Sequence, residues 1–141
     1  MATINATISV SSNIMSYPVS INKTMRMKKF QSSEGLEETS GLNFKTFNAT
    51  TAVEIVSNAD GTADKASKVY IRNTGSSKTN FFYVALNNSA AASDSTETIG
   101  KLYGGDWMLI PWIATAATTH DICVAPSTTD EMTLEWMVFV E

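Results

Sequence analysis

The feature that most constrains this chain is an alternation of period two that runs through both of its ends. Near the start, Ala2, Ile4, Ala6, Ile8 and Val10 fall on one side of an extended segment, and Thr3, Asn5, Thr7 and Ser9 on the other. Near the end, Met132, Leu134, Trp136, Val138 and Val140 share one face, and Thr133, Glu135, Met137 and Phe139 the opposite one. A repeat of two is that of a half-buried β-strand, because successive side chains point to opposite faces of a sheet. A second segment puts Val19, Ile21, Met25 and Met27 on one side, interrupted by Lys23, with Asn22, Thr24, Arg26 and Lys28 opposite. Pro18 lacks an N–H, which fits the start of that strand or a sheet edge.

Further strand signals follow at regular intervals. They cover Ala52–Val56, Val69–Arg72, Phe81–Leu86, Ile99–Tyr103, Trp107–Trp112 and Ile122–Val124, with Asn, Asp, Gly and Pro between them. Phe81–Leu86 is apolar on both faces, as a central strand would be, and Pro111 points to an edge or a bend. Asp60-Gly61 reads as a tight turn in which glycine supplies positive φ. Residues 31–43, rich in Ser, Gly and Glu, read as a long surface loop, with a short helix over Glu34–Thr39 as an alternative. Branched and aromatic residues outnumber leucine, a balance that suits pleated surfaces. The expected fold is all-β: a single antiparallel β-sandwich, jelly-roll-like, of about eight strands. It would occupy residues 17–141, with residues 1–16 as an N-terminal arm or strand docked on, or exchanged with, a neighbour.

The inventory for chemistry is poor. His120 is the one histidine and Cys123 the one cysteine, so no internal disulfide can form. His120, Asp121 and Cys123 are too sparse for a zinc site, and a catalytic thiol would have only His120 nearby to activate it. Glycine-rich phosphate loops and nucleophile elbows are missing. The adjacent acids Glu37-Glu38 and Asp130-Glu131 lie in loop-like sequence, where neighbours seldom face one cleft. Asn58, Asp60 and Asp64 hold only a fragment of a calcium-loop pattern. The expectation is a chain that is not an enzyme and uses no cofactor or metal.

Charge narrows the partners. The chain carries −4 at neutral pH, the wrong sign for bulk nucleic-acid binding. It has no apolar run of membrane-spanning length and no secretory signal. The charge is uneven: residues 1–50 sum to +2, residues 51–101 to zero and residues 102–141 to −6. Oppositely charged regions can orient like subunits, or a subunit on a charged host surface. Lys23, Arg26, Lys28 and Lys29 form the main basic cluster, readable as edge-strand protection or as a docking face. With Glu37 and Glu38 of the loop they are candidate partner-binding residues. So are Tyr103, Trp107 and Trp112, grouped around Gly104-Gly105. These aromatics suit a core, a subunit interface or sugar stacking, although the run lacks the interspersed polar groups that sugars need.

The succession KVYIRNTG (68–75), FFYVALNN (81–88), IGKLYGGDWMLIPW (99–112), DICVAPS (121–127) and LEWMVFVE (134–141) resembles small virion structural proteins of tailed bacteriophages, notably marine and cyanobacterial phages. The closest likeness is to capsid decoration (cement) proteins. The resemblance covers roughly residues 68–141 and is one of strand cadence, with no catalytic residues to carry over. It implies a virion protein assembled in the host cytoplasm that binds the major capsid protein, as a homo-oligomer with a trimer favoured. A phage tail or fibre component and a carbohydrate-binding β-sandwich module are the alternatives.

Overall fold

A computed structural model describes residues 4–13, 19–28, 36, 38–63, 65–86, 98–114 and 120–141. The chain is all-β and falls into two compact units that divide between Glu37 and Glu38.

The first unit is a hairpin. Strands β1 (Ile4–Ser12) and β2 (Val19–Met27) pair antiparallel from Ile4↔Met27 to Ser12↔Val19 without a break. The expected boundary after residue 16 therefore moves: β2 joins β1 in a two-stranded sheet of its own, not the sandwich. The register explains why. It places the apolar rows of both strands on one face, with Ala6 opposite Met25 and Val10 opposite Ile21. The polar rows share the other face, where the Thr7 and Thr24 hydroxyls lie 2.9 Å apart.

The second unit is a sandwich of nine strands, so the described residues hold eleven strands rather than about eight. They are β3 (Glu38–Thr39), β4 (Asn43–Phe47), β5 (Val53–Val56), β6 (Ala66–Asn73), β7 (Phe81–Leu86), β8 (Thr98–Tyr103), β9 (Trp107–Ile113), β10 (Ile122–Pro126) and β11 (Met132–Val140). One sheet runs β5-β10-β7-β8. The other runs β3-β11-β6-β9, with β4 also paired to β11. Because β6 occupies one edge of β11 over residues 134–140, β3 and β4 must lie in tandem along the other edge. They fill one lane, so the sandwich has eight lanes. The first lane pairs with the last, and the chain winds back and forth between the sheets in jelly-roll order.

The tandem lane corrects the reading of residues 31–43 as loop. Glu38, Thr39 and Asn43 are in strands, and Glu38–Thr39 is not helical. Ser40 bridges the gap: its N–H donates to the Val138 carbonyl at 3.1 Å, and its Oγ accepts from the Val138 N–H at 2.9 Å. Residues 31–35 lie outside the described residues.

The core sits between the sheets. Val69 and Ile71 of β6 and Leu134, Val138 and Val140 of β11 meet Phe82 and Val84 of β7 and Ile122 and Val124 of β10. Phe47 and Phe82 cross the interior edge-to-face, with ring centroids 5.2 Å apart, a favoured aromatic geometry. The alternation of β11 emerges as read from the sequence, with its apolar row inward. Pro111 lies on β9, an edge strand.

Gly61 differs from expectation. Its backbone is extended (φ −137°), so it supplies no left-handed turn. It is glycine for want of room: a Cβ there would lie 2.7 Å from Trp112 Cζ3 and 2.8 Å from the Ala114 Cβ.

Candidate interaction surfaces

The hairpin carries three of the four basic candidates. Lys23 stands opposite Ile8, on the apolar face. Arg26 stands opposite Asn5, on the polar face, and Lys28 follows the last residue of β2. Lys29 and Glu37 lie outside the described residues. Ile8, Val10, Ile21 and Met25 are all exposed. Two strands make a single layer and cannot cover their own apolar side; on that face these four side chains lie open, whereas Met27, opposite Ile4, is buried. Isolated hairpins are marginal in water for that reason. Glu38, in the short β3 of the other unit, is exposed opposite Val140.

The aromatics grouped in the sequence separate in space. Tyr103 ends β8 on the outer face of the four-stranded sheet, its ring 5.1 Å from that of Phe81, and Lys101 sits 4.5 Å over the Phe81 ring. The chain then turns through Gly104 and Gly105 into the other sheet, and the turn is closed by the Asp106 N–H on the Tyr103 carbonyl at 2.9 Å. A Cβ on Gly104 would meet the Ser77 backbone nitrogen at 2.5 Å, so the turn can seat only a glycine there. Trp107 emerges half-exposed on the outer face of the five-stranded sheet. Trp112, five residues on and so of opposite parity, points into the core. Its Nε1–H donates to the His120 carbonyl at 2.6 Å. Trp112 is therefore a core residue and not a surface platform.

What surrounds Trp107 comes from other strands. The register sets Arg72 beside Trp107, Glu135 beside Arg72, and Phe44 beside Glu135, in one row across the sheet. The Tyr70 hydroxyl donates to Glu135 Oε1 at 2.7 Å, and Arg72 Nη1 approaches the same oxygen at 3.4 Å. Burial, then the hydrogen bond to Glu135, pushes the Tyr70 phenol above its usual range, so it stays a donor at neutral pH. Phe44 is exposed at one end of the row and Trp107 at the other. A shallow hollow lined by Tyr70, Arg72, Gly105 and Trp107 opens beside the tryptophan. Nothing local in the sequence singles out Arg72, Tyr70, Glu135 or Phe44 as site residues. Only the pairing of strands some sixty residues apart reveals them.

The candidate catalytic and metal-ligating side chains that are described have structural roles. Asp121 is buried and its Oδ1 accepts the Asn58 N–H at 3.0 Å. Burial pushes the Cys123 thiol up to about 11, with Glu54 and Asp121 adding to the effect. The side chain is buried in β10 and packs as a small hydrophobe. Asp60 caps its own turn, accepting the Ser57 N–H at 2.8 Å. Asp64 lies outside the described residues. Among the described residues no group of three His, Cys, Asp or Glu side chains could hold a metal ion. No helix among them is long and apolar enough to cross a membrane.

No protein-family model matches this sequence, and no curated protein is significantly similar to it.

Proposed function

We propose that this chain is a virion structural protein: a capsid decoration (cement) protein that binds and stabilises the major capsid shell of a tailed phage. The observation that carries this reading is the β1–β2 hairpin. It is a one-layer sheet with one apolar face and one polar face, and its strands carry Lys23 and Arg26 but no acid. Such an element is marginal alone and gains stability by laying its apolar side on a partner. The sandwich supplies the rest: a jelly roll, an architecture shared by viral capsid and lectin domains, whose core needs no disulfide.

In this reading the hairpin docks on the shell, and its cations steer it towards acidic capsid surface. Oligomerisation of the sandwich, with a trimer expected, multiplies weak hairpin contacts through effective concentration. The protein is assembled in the host cytoplasm and resides in the virion.

The test is binding of the purified protein to undecorated shells. The wild-type chain is expected to saturate them and raise their disassembly temperature. A double variant Ile8→Asp, Ile21→Asp should remain folded and lose binding. Undiminished binding by that variant would reject the docking role of the hairpin. Recovery of the chain with tails rather than heads, after the two are separated, would move the protein to a tail or fibre.

A further inference from the structure

The row Phe44–Glu135–Arg72–Trp107 has a composition that a protein interface seldom shows. Interface cores are depleted in charge, yet the middle of this row is a charged pair. Its two exposed aromatics stand apart at the ends, three strand spacings or about 14 Å from each other. The neighbouring positions mix hydroxyls with apolar groups. Thr46 and Thr133 bond to each other at 3.0 Å on one side of the row, and Tyr70 lies between Met137 and Leu109 on the other.

The polar groups are already held in place. Glu135 is largely buried, and one of its oxygens takes the Tyr70 hydroxyl and approaches the Arg72 guanidinium. Arg72 is nearly half exposed and carries five N–H donors in a fixed fork. Next to them the indole of Trp107 borders a shallow hollow that Gly105 also lines, where a Cβ would meet nothing within 4 Å.

We infer that this row is a saccharide-binding site, with a hexopyranose stacked on Trp107 and its hydroxyls bonded to Arg72 and Glu135. A pyranose ring presents C–H groups on its faces and hydroxyls around its rim. It therefore asks for an aromatic plate with charged donors and acceptors at the edge, and the sheet sets these side by side. Phe44 provides a second plate along the row, so an oligosaccharide fits better than a single sugar. The objection visible in the sequence, that the stretch around Trp107 lacks polar partners, does not apply once β6 and β11 supply them. This inference is independent of capsid binding: it uses the outer face of the sandwich, and the hairpin takes no part.

The test uses the full chain on an array of neutral and uronate hexopyranose oligosaccharides, followed by calorimetric titration of the best probe. Binding is expected to strengthen with oligosaccharide length. It should weaken about tenfold or more in Trp107→Ala, the loss of one stacking contact, and clearly in Arg72→Leu. Phe44→Ala should lower affinity for long oligosaccharides and not for short ones. Ile99→Ala, an exposed change on the other sheet, should bind as wild type, and all four variants should melt near the wild-type temperature. Silence on the array at millimolar sugar would overturn the inference. So would equal affinity in Trp107→Ala, or binding confined to uronates that vanishes at physiological salt, which would be plain charge attraction. Loss of particle binding in Trp107→Ala by a chain that ignores sugars would assign the row to a protein interface, and would overturn it as well.

Discussion

The hairpin and the sandwich are written in the same code and bury it differently. In β11 the inward row runs from Met132 to Val140 beneath a second sheet, and Leu134 and Val138 are buried there. In β1 an equally regular row, Ile4 to Val10, belongs to a two-stranded sheet, and its Ile8 and Val10 stay exposed. Alternation thus specifies a face, and the number of layers decides what the face is for. A covered face stabilises the fold, whereas the exposed part of the hairpin face is, in the proposed reading, the surface that docks on a partner.

The sharpest way to break this comparison is to remove one apolar side chain from each unit. Phe82→Ala takes a fully buried ring from between the sheets, where it meets Phe47 edge-to-face. It should cost about 3–5 kcal/mol in denaturant unfolding. Ile8→Ala, in an exposed position of the hairpin, should change the unfolding of the isolated chain by about 0.5 kcal/mol or less. Similar losses at the two sites would mean that the hairpin is as much a part of the folding core as the sandwich is.

A smaller effect tests how tightly the sandwich itself is fitted. Gly61→Ala would press a methyl group against the Trp112 ring and the Ala114 Cβ. Overpacking of this kind should cost about 1–3 kcal/mol. It should also shift the emission of Trp112, whose indole N–H is held on the His120 carbonyl. An unchanged melt would show that the ring swings aside, and that the core is looser than its geometry implies.

These cases also mark what was legible in the sequence. Parity within a strand is local, so the inward and outward rows of β6 and β11 could be read directly, as could the edge position signalled by Pro111. Which strands pair is not local. The β3 part of the tandem lane looks like a polar loop because an edge strand of two residues needs little apolar content when β11 supplies its hydrogen bonds. Gly61 carries a turn signature, but its conformation answers to Trp112, fifty-one residues away. Tyr103, Trp107 and Trp112 read as one aromatic cluster, yet a turn between sheets and a change of parity send them to two outer faces and the core. The row through Trp107 is the extreme case, since its four members come from four strands and only register assembles them.

The smallest expected effect concerns pH, where the units differ again. The strands of the hairpin contain no acid, so between mildly acidic and neutral pH they contribute no carboxylate titration. In the sandwich, partial desolvation raises Glu54 above the ordinary glutamate range, and the charge of Asp121 and a hydrogen bond to it add to the effect. The sign follows from linkage. A carboxyl whose folded pKa is raised is favoured in its protonated form by the fold. Its contribution is present below the unfolded value, about 4.3, and is lost as pH rises through the higher folded value. Glu54→Gln keeps the shape and a hydrogen-bonding amide but cannot ionise beside Asp121. The variant should match the wild type in acid and be slightly more stable at neutral pH, with the difference opening just above the ordinary glutamate pKa. Because Glu54 is exposed to solvent, water screens the repulsion and the gain is small. Melting curves of the two proteins across that window decide the matter. A wild type that gains on the variant as pH rises would mean that Glu54 is held by a cation rather than opposed by Asp121.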